Sequence, residues 1–162
     1  MNPEPRQISR AIAMAGVALW FAALAPGAAL GTTKGSCTLT KTKYLMPTTG
    51  ASTTSTSFVN VPTSKVTFTQ SKAGCVIVHF AAYAAAGASN NLTVETLLDD
   101  TTLGGHGEMF FASDNGTGDA RQTVFVFPDV SAGAHFIQMK YRTTNGSIAV
   151  QLNDRTIIVQ YQ

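Results

Sequence analysis

From residue 57 to the end of the chain, apolar and polar residues alternate with a period close to two, and turn-forming residues recur at short intervals. A period of two places successive side chains on opposite faces of an extended backbone, so the pattern predicts half-buried β-strands rather than amphipathic helices. Val66, Phe68 and Gln70 alternate with Lys65, Thr67 and Thr69, which gives one strand an inward and a wet side. Residues 75–86 are apolar on both faces and predict a central strand covered on both sides. Asp99-Asp100, residue types that tolerate positive φ, sit between two apolar runs and predict a tight hairpin. Residues 109–112 and 120–127 flank a longer loop, and Pro128, which has no N–H, is expected to end the second of these strands. Residues 136–142 and 147–152 enclose Asn145-Gly146, the strongest short hairpin signal. Ile137, Met139 and Tyr141 are therefore expected to meet Ile148, Val150 and Leu152 as cross-strand neighbours. Residues 155–161 predict a last strand.

Eight to ten short strands with no amphipathic helix predict an all-β chain, a two-sheet antiparallel β-sandwich of jelly-roll type. After residue 31 there are 22 threonines and 10 serines, suited to pleated, half-exposed surfaces. Only residues 48–57 read as a hydroxyl-rich, stalk-like stretch. The expected organisation is a signal peptide over residues 1–31, an N-terminal arm and Thr/Ser-rich linker over 32–56, and the sandwich over 57–162.

The N-terminus carries the compartment signal. Arg6 and Arg10 precede an apolar run over 11–24, and small residues follow through Gly31, as in a secretory signal cut after Gly31 or Ala29. Pro26 and the alanine-rich composition argue against a membrane anchor. The mature chain is expected to be secreted, periplasmic or at the cell surface, with no stable membrane insertion after cleavage. Its 131 residues suit one domain. Nine Lys or Arg against eight Asp or Glu leave no field to steer nucleic acid, and no phosphate loop or basic-aromatic stripe is present. Cys37 and Cys75 are an even pair in an exported chain and predict a disulfide.

Candidate chemistry is sparse. Asp114, Asn115 and Asp119 offer hard oxygens suited to Ca²⁺, in a loop whose residue types are also those that turns use. His106 and Glu108 lie together on a glycine-rich stretch read as mobile, while His79 and His135 read as structural. Glu95, Asp99, Asp100 and Glu108 are the carboxylates from which a hydrolytic pair could be drawn. No strained nucleophile turn accompanies them, so an enzyme is not expected. Loops 102–108 and 113–119 are the expected ligand surface.

The segments Ser57-Phe58-Val59-Asn60-Val61-Pro62, Val66-Thr67-Phe68-Thr69, Cys75-Val76-Ile77-Val78-His79-Phe80, residues 94–100, and Val130-Ser131-Ala132-Gly133-Ala134-His135 followed by Ile157-Ile158-Val159 together resemble bacterial exported β-sandwich proteins of the C1q/TNF-like jelly-roll kind. The resemblance covers most of residues 57–162 and rests on strand spacing and a Gly-x-His loop. It implies a compact sandwich able to form trimers, with no defined ligand, and the collagen-like stalk of C1q is missing. The ending Val159-Gln160-Tyr161-Gln162 and the cysteine separation also look like chaperone-usher pilin subunits, which would make residues 32–46 a detachable strand. The function these readings predict is a non-catalytic binding or structural module for an extracellular protein or glycan. The alternatives are a fimbrial subunit, a carbohydrate-binding module or, last, a hydrolase.

Overall fold

The computed structural model describes residues 35–112 and 117–162. The signal segment lies outside the described residues, as do Asp114 and Asn115 of the loop expected to bind Ca²⁺. The described residues form β-strands and connections, with no helix. The strands are β1 (Lys41–Leu45), β2 (Ala51–Thr53), β3 (Val59–Asn60), β4 (Val66–Gln70), β5 (Gly74–Ala86), β6 (Leu92–Leu98), β7 (Thr102–Leu103), β8 (Met109–Ala112), β9 (Asp119–Val130), β10 (Gly133–Thr143) and β11 (Val150–Tyr161).

One sheet runs β1-β11-β5-β9, with β2 continuing the β1 edge along β11; the other runs β3-β10-β6-β7, with β4 continuing the β3 edge and β8 the β7 edge. Taking each split edge as one strand position leaves eight, and most consecutive positions lie in opposite sheets, which is the jelly-roll arrangement. All pairings are antiparallel. The core lies between the sheets: Val76, Val78 and Phe80 of β5, Phe125 and Phe127 of β9, Ile137 and Met139 of β10, and Ile157 and Val159 of β11 are all buried. Residues 32–56, expected as arm and linker, supply β1 and β2 to the first sheet, and Ala51 is buried within it.

The Asp99-Asp100 turn has the expected form. Both residues have positive φ, 52° and 61°, and Thr101 N–H closes the turn on the Leu98 carbonyl. Three expectations fail for tertiary reasons. Pro128 does not end its strand, because β9 is a sheet edge and a missing N–H on the outer side breaks no ladder. Residues 147–152 and 155–161 are not two strands. Residues 147–149 belong to the turn, and residues 150–152 join 155–161 in β11 through an irregularity between Asn153 and Thr156, with Asp154 at φ 46°. Asn145-Gly146 turns the chain, but not as a hairpin: β10 pairs with β3, β4 and β6, whereas β11 pairs with β1, β2 and β5. The inward side chains of β10 and β11 therefore belong to facing sheets of the core and not to one ladder.

That sheet-to-sheet turn is held by Asn90, which is fully buried. Its Oδ1 accepts from Asn91 N–H (2.9 Å), Asn145 N–H (3.0 Å) and the Thr143 hydroxyl, and its Nδ2 donates to the Ile148 carbonyl (2.8 Å). Asn90→Ala leaves several of these groups without partners and is expected to cost about 2–3 kcal/mol in urea unfolding. A loss under about 0.5 kcal/mol would mean the turn holds itself.

Candidate functional site

The two outer faces of the sandwich differ in chemistry. On the β3-β10-β6-β7 sheet, Lys140 lies opposite Glu95, Arg142 donates to Glu108 at 2.8 Å, and the Lys65 ammonium stands 3.5 Å from the Phe136 ring centroid. Burial pushes the Glu95 carboxyl above the usual range, against the pull of Lys140. This is a charged, cross-linked surface.

The outer face of the β1-β11-β5-β9 sheet carries no Asp, Glu, Lys or Arg in its central rows. The ladder register aligns Tyr44, Ile158, His79 and Val124 in one cross-strand row. Thr42, Gln160, Ile77 and Val126 form the next row, and Thr156, Ala81 and Gln122 the row on the other side. Ile158, His79, Val124, Ile77 and Val126 are half-buried. The sequence expectation that β5 is covered on both sides is thus corrected: only the even-numbered face from Val76 to Ala86 packs into the core, and the odd-numbered face is open. A shallow hollow of about 310 Å³ lies on this face among His79, Ala81, Gln122, Thr156, Ile158 and Gln160. Tyr44, 70% exposed, and Tyr83, 45% exposed, stand on two of its strands. The Tyr83 ring lies over Gly118, where a Cβ would have no room. His79 Nε2 is 3.1 Å from Gln160 Oε1, which fixes both polar groups in the middle of the face.

The residues singled out from the sequence are dispersed. Cys37 and Cys75 are joined as a disulfide with Cα atoms 5.6 Å apart. Asp119 pairs with Arg121 at 3.0 Å. Among the described residues no three His, Cys, Asp or Glu side chains gather as a metal site. His106 has φ 77°, and Glu108 is engaged by Arg142. Asp99 accepts from Phe136 N–H at 2.9 Å and meets His135 Nδ1 at 2.7 Å, while His135 Nε2 faces the Ser131 carbonyl at 3.1 Å. These contacts bind the Asp99-Asp100 hairpin to the start of β10.

The glycine-rich stretch read as mobile is pinned. Gly104 N–H donates to the Thr96 carbonyl (3.0 Å), Gly105 N–H to the Val126 carbonyl (2.8 Å) and Gly107 N–H to the Gly104 carbonyl (2.9 Å). The loop so crosses from one sheet to the edge of the other. A Cβ on Gly105 would lie 2.8 Å from the Val126 oxygen, closer than van der Waals contact permits. Gly105→Ala is expected to lower stability by about 1–3 kcal/mol, because backbone must move; an unchanged melting temperature would refute the close approach.

No family model and no curated protein matches the chain. Among solved structures it is similar to the C-terminal CBM6 of a marine laminarinase from Zobellia galactanivorans, at 16% identity and TM-score 0.36, over 59% of this chain and 71% of that one. It is also similar to a CBM6 module of Cellvibrio mixtus lichenase 5A in complex with cellotriose, at 15% and 0.34, over 77% and 99%. A third likeness is to a GH115 4-O-methyl-α-glucuronidase with specificity for decorated arabinogalactans, at 11% and 0.45; the chain is covered over 83% and spans 19% of that enzyme. None of the three is a C1q/TNF domain or a pilin subunit. The strand order, not these likenesses, establishes the jelly roll.

Proposed function

We propose that this chain is a non-catalytic extracellular binding module that holds a neutral polysaccharide on the outer face of the β1-β11-β5-β9 sheet. The carrying observation is that open face, free of formal charge across its central rows and bearing Tyr44 and Tyr83. A contiguous half-exposed apolar surface on a sandwich marks an interaction site. Ring faces can cover the apolar C–H side of sugars, while Gln122, Gln160 and Thr156 supply donors and acceptors for hydroxyls without the desolvation cost of a charge. The non-catalytic reading is supported by the engagement of Glu108, Asp99, His79 and His135 in structural contacts.

The C1q/TNF resemblance names a rival occupant, a second copy of the chain, and the pilin resemblance a third. Against the pilin reading, β1 is seated on β11 of its own sheet across Lys41↔Tyr161 to Leu45↔Ile157. Affinity electrophoresis in gels containing β-glucan or xylan tests the proposal, with a Tyr83→Ala/Ile158→Asn variant as the comparison. Retardation by a neutral glycan, weakened about tenfold in the variant, is expected. No retardation, together with a trimeric mass by light scattering that the variant abolishes, would assign the face to self-association instead.

A further inference from the structure

The two flanks of the sandwich are closed by different means. On the β9 side the crossing is backbone to backbone, from Gly105 N–H to the Val126 carbonyl. On the other flank β1 and β4 run past each other as sheet edges, and a side chain makes the link: Lys43 Nζ donates to the Thr67 carbonyl at 2.7 Å. A groove of about 410 Å³ opens there between residues 42–45 and 65–67. A second hollow of about 280 Å³ adjoins it at Lys43 and Thr67 and reaches His135 and Phe136.

The charge in this groove has one sign. Residues 35–94 contain Lys41, Lys43, Lys65 and Lys72 and no Asp or Glu. Lys43 and Lys65 line the groove, and the Lys41 ammonium lies 5.9 Å from the Tyr161 ring centroid at the same edge. Among the described residues their partners are a carbonyl and aromatic faces, which orient an ammonium without neutralising it. No described Asp or Glu lines the groove or the second hollow, and three carboxylates are engaged elsewhere: Asp119 by Arg121, Glu108 by Arg142, and Asp99 by His135 and Phe136 N–H at the far end of the second hollow. Lys43 between the two edges and Lys65 at the rim, its ammonium over Phe136, give the groove a positive potential that its low-dielectric walls strengthen.

We infer that the β1/β4 groove is a binding site for an anionic polysaccharide, whose carboxylates meet Lys43 and Lys65 and whose rings pass over Tyr44. This goes beyond the neutral face proposed above: the two share Tyr44 at the β1 edge, but the groove rests on Lys43 and Lys65, which the face does not use. An acidic peptide added as a strand is the less favoured occupant. Strand addition needs free edge carbonyls, and Lys43 already occupies that of Thr67.

Isothermal titration of the full disulfide-bonded chain with polygalacturonate, with dextran as the neutral control and poly-L-glutamate as the acidic-peptide probe, tests the site. Binding to polygalacturonate is expected to weaken about tenfold between about 20 and about 200 mM NaCl. A Lys43→Gln/Lys65→Gln variant is expected to lose about tenfold, while Lys72→Gln, outside the groove, keeps its affinity. An unchanged melting curve for the double variant separates lost binding from lost fold. Tyr83→Ala/Ile158→Asn keeps this binding, so failure of the neutral face and failure of the groove are distinguishable. The inference is overturned if polygalacturonate does not bind, if Lys72→Gln loses as much as the double variant, or if poly-L-glutamate binds more tightly.

Discussion

Arg155→Ala is expected to lower the unfolding free energy by about 3–5 kcal/mol, seen as a fall of about 10 °C or more in melting temperature. Arg155 is 1% exposed and sits where the β11 ladder shifts register, next to Asp154 at positive φ. From there Nη1 donates to the Pro62 carbonyl at 2.9 Å and Nη2 to the Thr49 carbonyl at 2.6 Å. One side chain thus ties the β1–β2 and β3–β4 connections to the centre of the first sheet. Each of these charge-assisted bonds is worth about 1.5–3 kcal/mol, and removing the buried stem adds a cavity cost. The opposing term is the burial of a cation without a carboxylate, which pulls the Arg155 guanidinium below its ordinary value while its charge works against the burial-raised phenol of Tyr141. Arg155→Met keeps most of the volume and removes that burial cost, so it separates the terms. It should lose less than Arg155→Ala if packing dominates, and as much if the two carbonyl bonds do. A loss under about 1 kcal/mol for both variants, by urea unfolding, would show that the two connections hold themselves.

Removing the Cys37–Cys75 disulfide is expected to cost about 4 kcal/mol, because cross-links at this sequence separation of 38 residues restrict the unfolded chain by about that amount. Cys37 precedes β1 and Cys75 opens β5, so the bridge joins the beginning of an edge strand to a central strand of the same sheet. The Cys37→Ser/Cys75→Ser variant should unfold at lower urea with a slope equal to or steeper than the parent's, since the unfolded chain without its cross-link is less compact and exposes at least as much surface. Amides of residues 41–45 should lose exchange protection first, because the ladder to β11 then holds that edge without a covalent anchor. A midpoint within experimental error of the parent would mean that strand pairing alone sets the position of β1. Since the groove is built on β1, reduction should also weaken polygalacturonate binding.

Local patterns were legible where one rule acted alone. The alternation in residues 65–70 placed Val66, Phe68 and Gln70 inward, and the structure buries all three. Asp99-Asp100 signalled its turn because positive φ at two adjacent residues is a local demand. The cysteine pair needed only parity and the expectation of export. The face and groove were not legible: of the loops first expected to bind ligand, residues 102–108 contain a pinned crossing at Gly104 and Gly105, and residues 113–116 of the other lie outside the described residues. The face and groove arise instead from residues far apart in sequence: Tyr44, His79, Val124 and Ile158 share a row only after four strands are aligned.

By itself the sequence determined strand content, the inward side of most strands, the turn at Asp99-Asp100 and the pairing of its two cysteines, all set by short-range periodicity, backbone preference or parity. The tertiary structure decided which strands share a sheet, why Asn145-Gly146 links sheets instead of closing a hairpin, why Pro128 is tolerated within β9, and which apolar face of β5 stays open. Those outcomes depend on hydrogen-bond partners chosen across the whole chain, and identical local patterns are compatible with a ladder in one sheet or a contact across the core.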